Sequence, residues 1–334
     1  TGSDPAFCAG LDLKELGAGE NRIGENRSDG DGMSGGGGTG RGPFESAIVR
    51  IGRSGKVSIY TGAMAMGQGL KTVLAQIAAD EVGVRPEDIT VVSGDTATIQ
   101  LGLGGFASRQ TVTAGNSVHL AARAVREKAI KAAALLLEVP EMNLDIRDGI
   151  VFETGKNLSI SLRDIADSLA GAPGYKMPSG LAPGLDSAVN FETSALTYGL
   201  GAHAVELEVD PQTGGVTLLN YVIVNDCGRV INPMTAEGQL HGGVVHGIGN
   251  SLFEWMGYDN NAQPLTTNFA DYLLPSAPEI PPIDVRLVEY PSTKNPLGVK
   301  GIGESGTVPA APAMISGIED ALSSYGVRID EAPI

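Results

Sequence analysis

The sequence predicts an α+β protein with mixed sheets and packed helices. Two hairpin patterns and one long amphipathic helix carry that expectation. The first hairpin joins Ala47-Ile48-Val49-Arg50-Ile51 to Lys56-Val57-Ser58-Ile59-Tyr60 through a short loop, Gly52 to Gly55. The second runs from His203 to Val209, turns through Asp210-Pro211-Gln212-Thr213-Gly214-Gly215 and returns over Val216 to Val224. Between them, Ser117 to Glu138 is rich in strong helix formers, with apolar residues recurring at three and four.

The remaining elements follow in order. Residues 17–42 are rich in Gly, Asn, Asp and Ser and end in Gly35-Gly36-Gly37-Gly38, so residues 1–43 read as a flexible leader with too little apolar surface to offset ordering. Leu70 to Val82 has helical spacing, and Asp88 to Ser93 is a strand leading into a Gly-rich loop at Leu101 to Gly105. Residues 140–198 hold a short strand pair, a helix at Leu162 to Leu169 and a Pro/Gly-rich excursion from Gly171 to Gly184. Gln239 to Met256 reads as a Gly-studded helix, with Phe253 and Trp255 expected in the core. Asp284 to Tyr290 is strand-like, Pro291 to Gly306 is a loop, and the apolar run Val308 to Leu322 is a helix. The domain is expected over 44–334, in two α+β subdomains of about 44–200 and 201–334.

Composition limits function. With 334 residues, 42% of them apolar, the chain can bury a large core, in one large or two ordinary domains. A net charge of −16 argues against a nucleic-acid partner, because phosphate neutralisation needs clustered Lys and Arg. Apolar stretches are broken by Gly, Pro or charge and no signal segment opens the chain, so no integral membrane segment and a cytoplasmic location are expected. Cys8 and Cys227 are too few for a disulfide framework. His241 and His246, five apart, diverge on a helix and cannot chelate one metal as an i, i+4 pair would. Cys227 reads as a buried small residue.

The residues that suggest chemistry sit on turns. In Lys300-Gly301-Ile302-Gly303-Glu304-Ser305-Gly306 a single carboxylate is held between a strand and a helix, where it can serve as a general base. Gly67-Gln68-Gly69 and Gly238-Gln239 are read at the entry to apolar helices, where free N–H groups and an amide suit anions or metal-oxo groups. The loop through Phe106, Ala107, Ser108, Arg109, Gln110 and Thr111 adds donors among small residues that let a pyrophosphate or pterin lie against main chain. Taken singly, each pattern is also what an ordinary polar turn looks like.

In combination they are specific. Met66-Gly67-Gln68-Gly69-Leu70, Ser93-Gly94-Asp95-Thr96, Phe106-Ala107-Ser108-Arg109, Asp226-Cys227-Gly228-Arg229, Glu237-Gly238-Gln239, Asp271-Tyr272-Leu273-Leu274-Pro275 and Asn295-Pro296-Leu297-Gly298-Val299-Lys300-Gly301-Ile302-Gly303-Glu304 occur in one order. Over Thr39 to Leu322 the chain resembles the second molybdenum-cofactor-binding domain of the xanthine oxidase family of molybdenum hydroxylases. The final motif is most similar to large subunits of the carbon monoxide dehydrogenase and aldehyde oxidase type. The resemblance implies molybdopterin with molybdenum, as a cytosine dinucleotide, and hydroxylation of an aldehyde or N-heteroaromatic carbon with oxygen from water. It implies Glu304 as the base that deprotonates the metal's hydroxyl ligand and Gln68 as the donor to an oxo ligand, with no direct protein ligand to the metal. Gly67, Gly69, Phe106, Ala107, Ser108, Arg109, Gln110, Thr111, Gln239, Lys300, Gly301 and Gly303 become expected cofactor contacts.

Members of that family are more than twice as long, so the resemblance also implies partners. These are a polypeptide carrying the first cofactor domain, an iron–sulfur subunit with two-iron two-sulfur clusters and a flavin subunit with FAD, beside a small-molecule substrate. A natural split subunit and a truncated product are both consistent with this length. Residues 1–16, with Phe7-Cys8-Ala9-Gly10-Leu11-Asp12, resemble the oxyanion-hole segment of the crotonase family, too short to make that fold. Two alternatives to catalysis of this kind are a non-catalytic cofactor-holding subunit and a crotonase-like acyl-CoA enzyme.

Overall fold

The computed structural model describes residues 44–99 and 102–334. The expected leader, its Cys8 and the crotonase-like segment lie outside the described residues. The described chain divides into two compact units, residues 44–197 with 292–299 and residues 198–291 with 300–334.

The first unit is built on a four-stranded sheet. β1 (Phe44–Ile51) pairs antiparallel with β2 (Val57–Thr61), Ile51 lying opposite Val57 across the short Gly turn. β3 (Ile89–Ser93) adds in parallel to β2, and β7 (Asp186–Glu192) closes the other edge antiparallel to β1, giving the order β3-β2-β1-β7. Period-two alternation turns Ala47, Val49, Ile51, Val57 and Ile59 inward, where all five are buried. Helices α1 (Leu70–Val82) and α2 (Asn116–Leu137) pack together, α2 against β1 and β7 and α1 against β3. A π-helical turn at Thr111–Gly115 leads into α2. A smaller antiparallel sheet, β4 (Leu144–Arg147), β5 (Ile150–Glu153) and β6 (Ser159–Ser161), precedes α3 (Leu162–Leu169), whose Ser161 cap accepts the Asp164 N–H.

Ser292–Val299 belongs to this unit through a buried amide ladder. The wholly buried Asn116 donates to Asn295 Oδ1 at 3.2 Å and accepts from the Leu297 N–H at 3.0 Å, while Asn295 bonds Val299 through both its amide atoms.

The second unit has a three-stranded sheet. β8 (Leu200–Val209) and β9 (Val216–Asp226) form the long hairpin, irregular at Glu206/Leu207, and β10 (Ile283–Val288) runs parallel to β9. Helices α4 (Pro233–Leu252) and α5 (Ala310–Ala321) cover it around a core of Tyr221, Ile223, Leu240, Val244, Ile248, Ala310 and Met314. Mixed sheets with packed helices make this α+β, the class expected.

Three local expectations change. β7 was not anticipated, because its residues alternate only between half-buried and exposed. α4 starts six residues before Gln239, since the Asn232 side chain caps the Thr235 N–H at 2.9 Å and Pro233 occupies the first turn. Trp255 is 53% exposed rather than core, its ring lying over Gly257, whereas Phe253 packs partly against the core. Among the described residues, no helix is long and apolar enough to cross a membrane.

Candidate functional site

The expected site residues fall into two groups, one on each unit. In the first unit, two loops lie main chain against main chain. A Cβ on Gly102 would sit 2.6 Å from Gly62 Cα and carbonyl oxygen, and one on Gly105 would meet Met66 Cε at 2.7 Å and the Gln110 amide at 2.9 Å. Gly67 and Gly69 turn the chain into α1 with φ of +100° and +80°, and Gly67 faces open space.

Gln68 and Gln110 tie these loops together. Gln68 Oε1 accepts from the Met66 N–H at 2.6 Å, while its Nε2 donates to Met64 O at 3.0 Å and to Gln110 Oε1 at 2.6 Å. Gln110 Nε2 donates to the same Met64 carbonyl at 2.9 Å. Both Gln68 amide protons are therefore committed within the loops, and that amide can reach a cofactor only by giving up one of these bonds. What the turn offers directly is the backbone at Gly67.

Arg109 differs from its expected use as an outward donor. It is buried, donating through Nη1 to Gly104 O at 2.8 Å and through Nη2 to Phe44 O at 2.7 Å, 3.7 Å from the buried carboxylate of Glu45 and over the Phe106 ring. Burial pushes the Glu45 carboxyl above its usual range and the Arg109 guanidinium below its own, and each charge partly offsets the other's loss of water. Arg109 is thus a strut beneath the loop. Above it, Ala107 and Ser108 hold φ of +49° and +54°, a left-handed pair costing roughly 1 kcal/mol or more each and kept by such supports. Thr111 opens the π-helical turn, and Leu103, Phe106, Met64 and Met66 are exposed around the loops.

This local structure fits a flat, phosphorylated organic group. Gly67 and Gly104 expose backbone at positive φ with nothing within 4 Å of a modest side chain, so the main chain is open to close approach there. Exposed apolar side chains stand beside it.

In the second unit, Glu304 lies on a run of turns before α5, closed by the Thr307 and Val308 N–H groups donating to its carbonyl at 3.1 Å each. Glu304 and Gly303 are exposed. Packing against α4 fixes that turn: a Cβ on Gly243 would lie 2.7 Å from Gly306 Cα and 2.8 Å from the Thr307 nitrogen, and one on Gly306 would lie 2.5 Å from Leu240 O. Gly243→Ala should therefore destabilise by about 1–3 kcal/mol through overpacking, although helix propensity alone favours Ala by roughly 1 kcal/mol. Thermal unfolding gives the sign, and an unchanged or raised Tm would show that the turn yields freely.

Lys300, expected at the cofactor, is held instead by Asp226 at the end of β9. Its ammonium pairs with Asp226 Oδ2, its N–H donates to Cys227 O at 2.8 Å, and Asp226 Oδ1 accepts from Gly228 at 2.7 Å and Tyr290 at 3.2 Å. Burial raises the Asp226 carboxyl, but Lys300 and these N–H groups outweigh it and leave the group below its ordinary range. Gly301 approaches β8, since a Cβ on Gly199 would lie 2.8 Å from its carbonyl oxygen. Cys227 is buried, and burial with the Asp226 charge pushes its thiol up to about 11, leaving it unreactive. Gln239 is half-buried within α4, beside Gly238 and Gly242, which face open space. His241 and His246 are both exposed on α4, and among the described residues no cluster of His, Cys, Asp or Glu could hold a metal ion.

Sequence reasoning missed Asp226, which holds Lys300, and His203, which is bonded to Tyr221; no local signal marks either. Burial lowers His203 to about 4, so its imidazole is neutral in the fold. Between pH 6.5 and about 4 the unfolded chain takes up that proton and the folded chain does not, so stability should fall across this window. The depressed Asp226 acts the same way at lower pH, its contribution being lost as pH falls through its folded pKa. Unfolding curves from pH 7 to pH 4 should show His203→Gln losing less stability than wild type; parallel losses would refute the assignment.

Comparison with known proteins identifies the family. Residues 22–281 match the model of the molybdopterin cofactor-binding domain family. The chain is 41% identical over 296 residues to the 6-hydroxypseudooxynicotine dehydrogenase complex subunit gamma of Paenarthrobacter nicotinovorans, covering 88% of this chain and 37% of that protein. It is 36% identical to the carbon monoxide dehydrogenase large chain of Hydrogenophaga pseudoflava, covering 88% and 36% respectively. The crystal structure of quinoline 2-oxidoreductase from Pseudomonas putida 86 superposes with a TM-score of 0.80 at 36% identity, over 87% of this chain and 37% of that one. The chain thus spans little more than a third of the length of these relatives. With its fold, motif order and family match in agreement, the chain belongs to the molybdopterin cofactor-binding domain family of the molybdenum hydroxylases.

Proposed function

We propose that this chain is the catalytic, cofactor-binding part of a molybdenum hydroxylase acting on an aldehyde or N-heteroaromatic carbon. The single observation that carries the reading is Glu304, an exposed carboxylate on a turn fixed by glycine packing against α4. The reaction converts a C–H bond and one water into C–OH, two protons and two electrons. Glu304 accepts one of those protons at a carboxylate oxygen, from the water-derived nucleophile, as a general base worth about 10²–10⁴ in rate. The molybdenum cofactor, when bound, supplies the two-electron acceptor and Lewis acid.

The Gly67–Gly69 turn and the loop from Phe106 to Thr111 are proposed to hold the organic part of the cofactor, as its cytosine dinucleotide, through main chain. Gln68 and Gln110 keep those loops in register, and Gln68 turns an amide proton to the cofactor where Met64 O or Gln110 releases it. Gln239 is proposed as a further contact from α4. Gly301 and Gly303 present backbone beside Glu304, while Lys300 contributes through its pairing with Asp226.

The two electrons require acceptors, which we assign to an iron–sulfur subunit and an FAD subunit, beside a polypeptide carrying the first cofactor domain. The relatives' names support such an assembly, since one is a subunit of a dehydrogenase complex and another a large chain. Purification with its copurifying partners should yield stoichiometric molybdenum, a pterin fluorophore after oxidation and released cytidine monophosphate. The preparation should oxidise aldehydes or N-heteroaromatics with an artificial acceptor, incorporating ¹⁸O from labelled water. A folded complex free of molybdenum and pterin would sink the reading.

A further inference from the structure

We propose that His203 is a positioning residue for the Glu304 turn, its imidazole held in one tautomer by the Tyr221 hydroxyl so that Nε2–H is offered to the Ser305 main chain. The role matters for catalysis only if Glu304 is the base proposed above, but the arrangement itself stands apart from that reading. His203 lies on β8, with Nδ1 2.9 Å from the Tyr221 Oη and the two rings edge to face at 5.7 Å. Tyr221 is wholly buried on β9, and burial holds its phenol well above the usual range, so the hydroxyl stays protonated and donates. A neutral imidazole has one donor and one acceptor nitrogen, so if Nδ1 accepts, Nε2 carries the proton.

That Nε2 is buried and finds no hydrogen bond of good geometry among the described residues. The turn that covers it is the one carrying Glu304. The Ser305 main chain lies against His203, and Gly199, near the start of the same strand, is packed so closely that a Cβ there would lie 2.8 Å from Gly301 O and 3.7 Å from Ser305 Oγ. A buried N–H left unmatched costs about 1–3 kcal/mol, and a small settling of the turn removes that cost by placing the Ser305 carbonyl on Nε2. The bond holds the residue next to Glu304, and so the direction in which the carboxylate leaves the turn.

Hydrogen–deuterium exchange on the purified complex tests this without relying on turnover. His203→Leu and His203→Gln fill similar space, but only Gln keeps a donor. The Leu variant should raise exchange at the Ser305 to Val308 amides by roughly tenfold, about the worth of one hydrogen bond, while α4 peptides stay at the wild-type rate. The Gln variant should return most of that protection. If the Leu variant does not assemble, Tyr221→Phe decides, since it keeps both rings and should raise exchange at the same amides severalfold. Equal exchange in the Leu and Gln variants, a rise spread evenly over α4 and the sheet, or no change in Tyr221→Phe would overturn the proposal. Normal exchange behaviour with full activity in Glu304→Gln would instead count against the base and leave the His203 contact standing.

Discussion

Glu304→Gln is expected to lower kcat by about 10²–10⁴ while leaving the molybdenum and pterin content of the complex at the wild-type level. The amide keeps the size and shape of the side chain but cannot take up a proton at neutral pH. The turn should survive, because the bonds from Thr307 and Val308 go to the main-chain oxygen of Glu304 and the glycine contacts to α4 involve backbone. If the variant turns over at more than about a tenth of the wild-type rate, the loss falls below the general-base range and the proton goes elsewhere. A parallel loss of molybdenum would assign Glu304 to holding the cofactor rather than to proton transfer. Glu304→Asp separates the two further, since it restores a base at a shortened reach and should recover part of kcat without altering cofactor content.

The sequence made most of the elements legible where a period or a turn signal was strong. The helices at Leu70 to Val82 and Leu162 to Leu169 lie where their spacing put them, and the hairpin through Asp210 to Gly215 follows its turn residues. β7 was silent because an edge strand that is half exposed needs no apolar alternation. The start of α4 was written in Asn232-Pro233, a cap and first-turn signal overshadowed by the glycines that follow it. For the site, motif order pointed to candidate segments but could not tell which of their side chains turn inward. Arg109, Gln68 and Lys300 all carry donors suited to a cofactor, and in each case the donors are bonded to protein groups that lie far away in sequence: Phe44 O, Gln110 and Asp226. Burial and partnership of that kind are tertiary facts. The Gly243 to Gly306 contact is another, since a glycine inside a helix looks like a propensity defect until the backbone it admits is known.

Removing one member of the Glu45–Arg109 pair should be the most destabilising single change in the first unit. Glu45 is fully buried and Arg109 is 2% exposed, so neither charge can recover its hydration when the other is lost. Arg109→Leu should cost about 3–5 kcal/mol, the range for breaking a buried pair, because it leaves the Glu45 carboxylate without its counter-charge and frees the carbonyls of Gly104 and Phe44. The double variant Glu45→Leu, Arg109→Leu should be less destabilised than either single one, since a buried pair replaced by apolar side chains is often near neutral. The pair also carries the left-handed residues Ala107 and Ser108 above it, and Glu45 Oε2 accepts the Leu103 N–H at 3.3 Å. The double variant should therefore fold yet bind the cofactor less well, because stability is restored while the loop loses its anchor. Denaturant unfolding of the two single variants and the double, with molybdenum content measured on each complex, gives the coupling. Additive losses would show that the two charges do not depend on each other, and full cofactor retention in the double variant would remove Arg109 from the shaping of the loop.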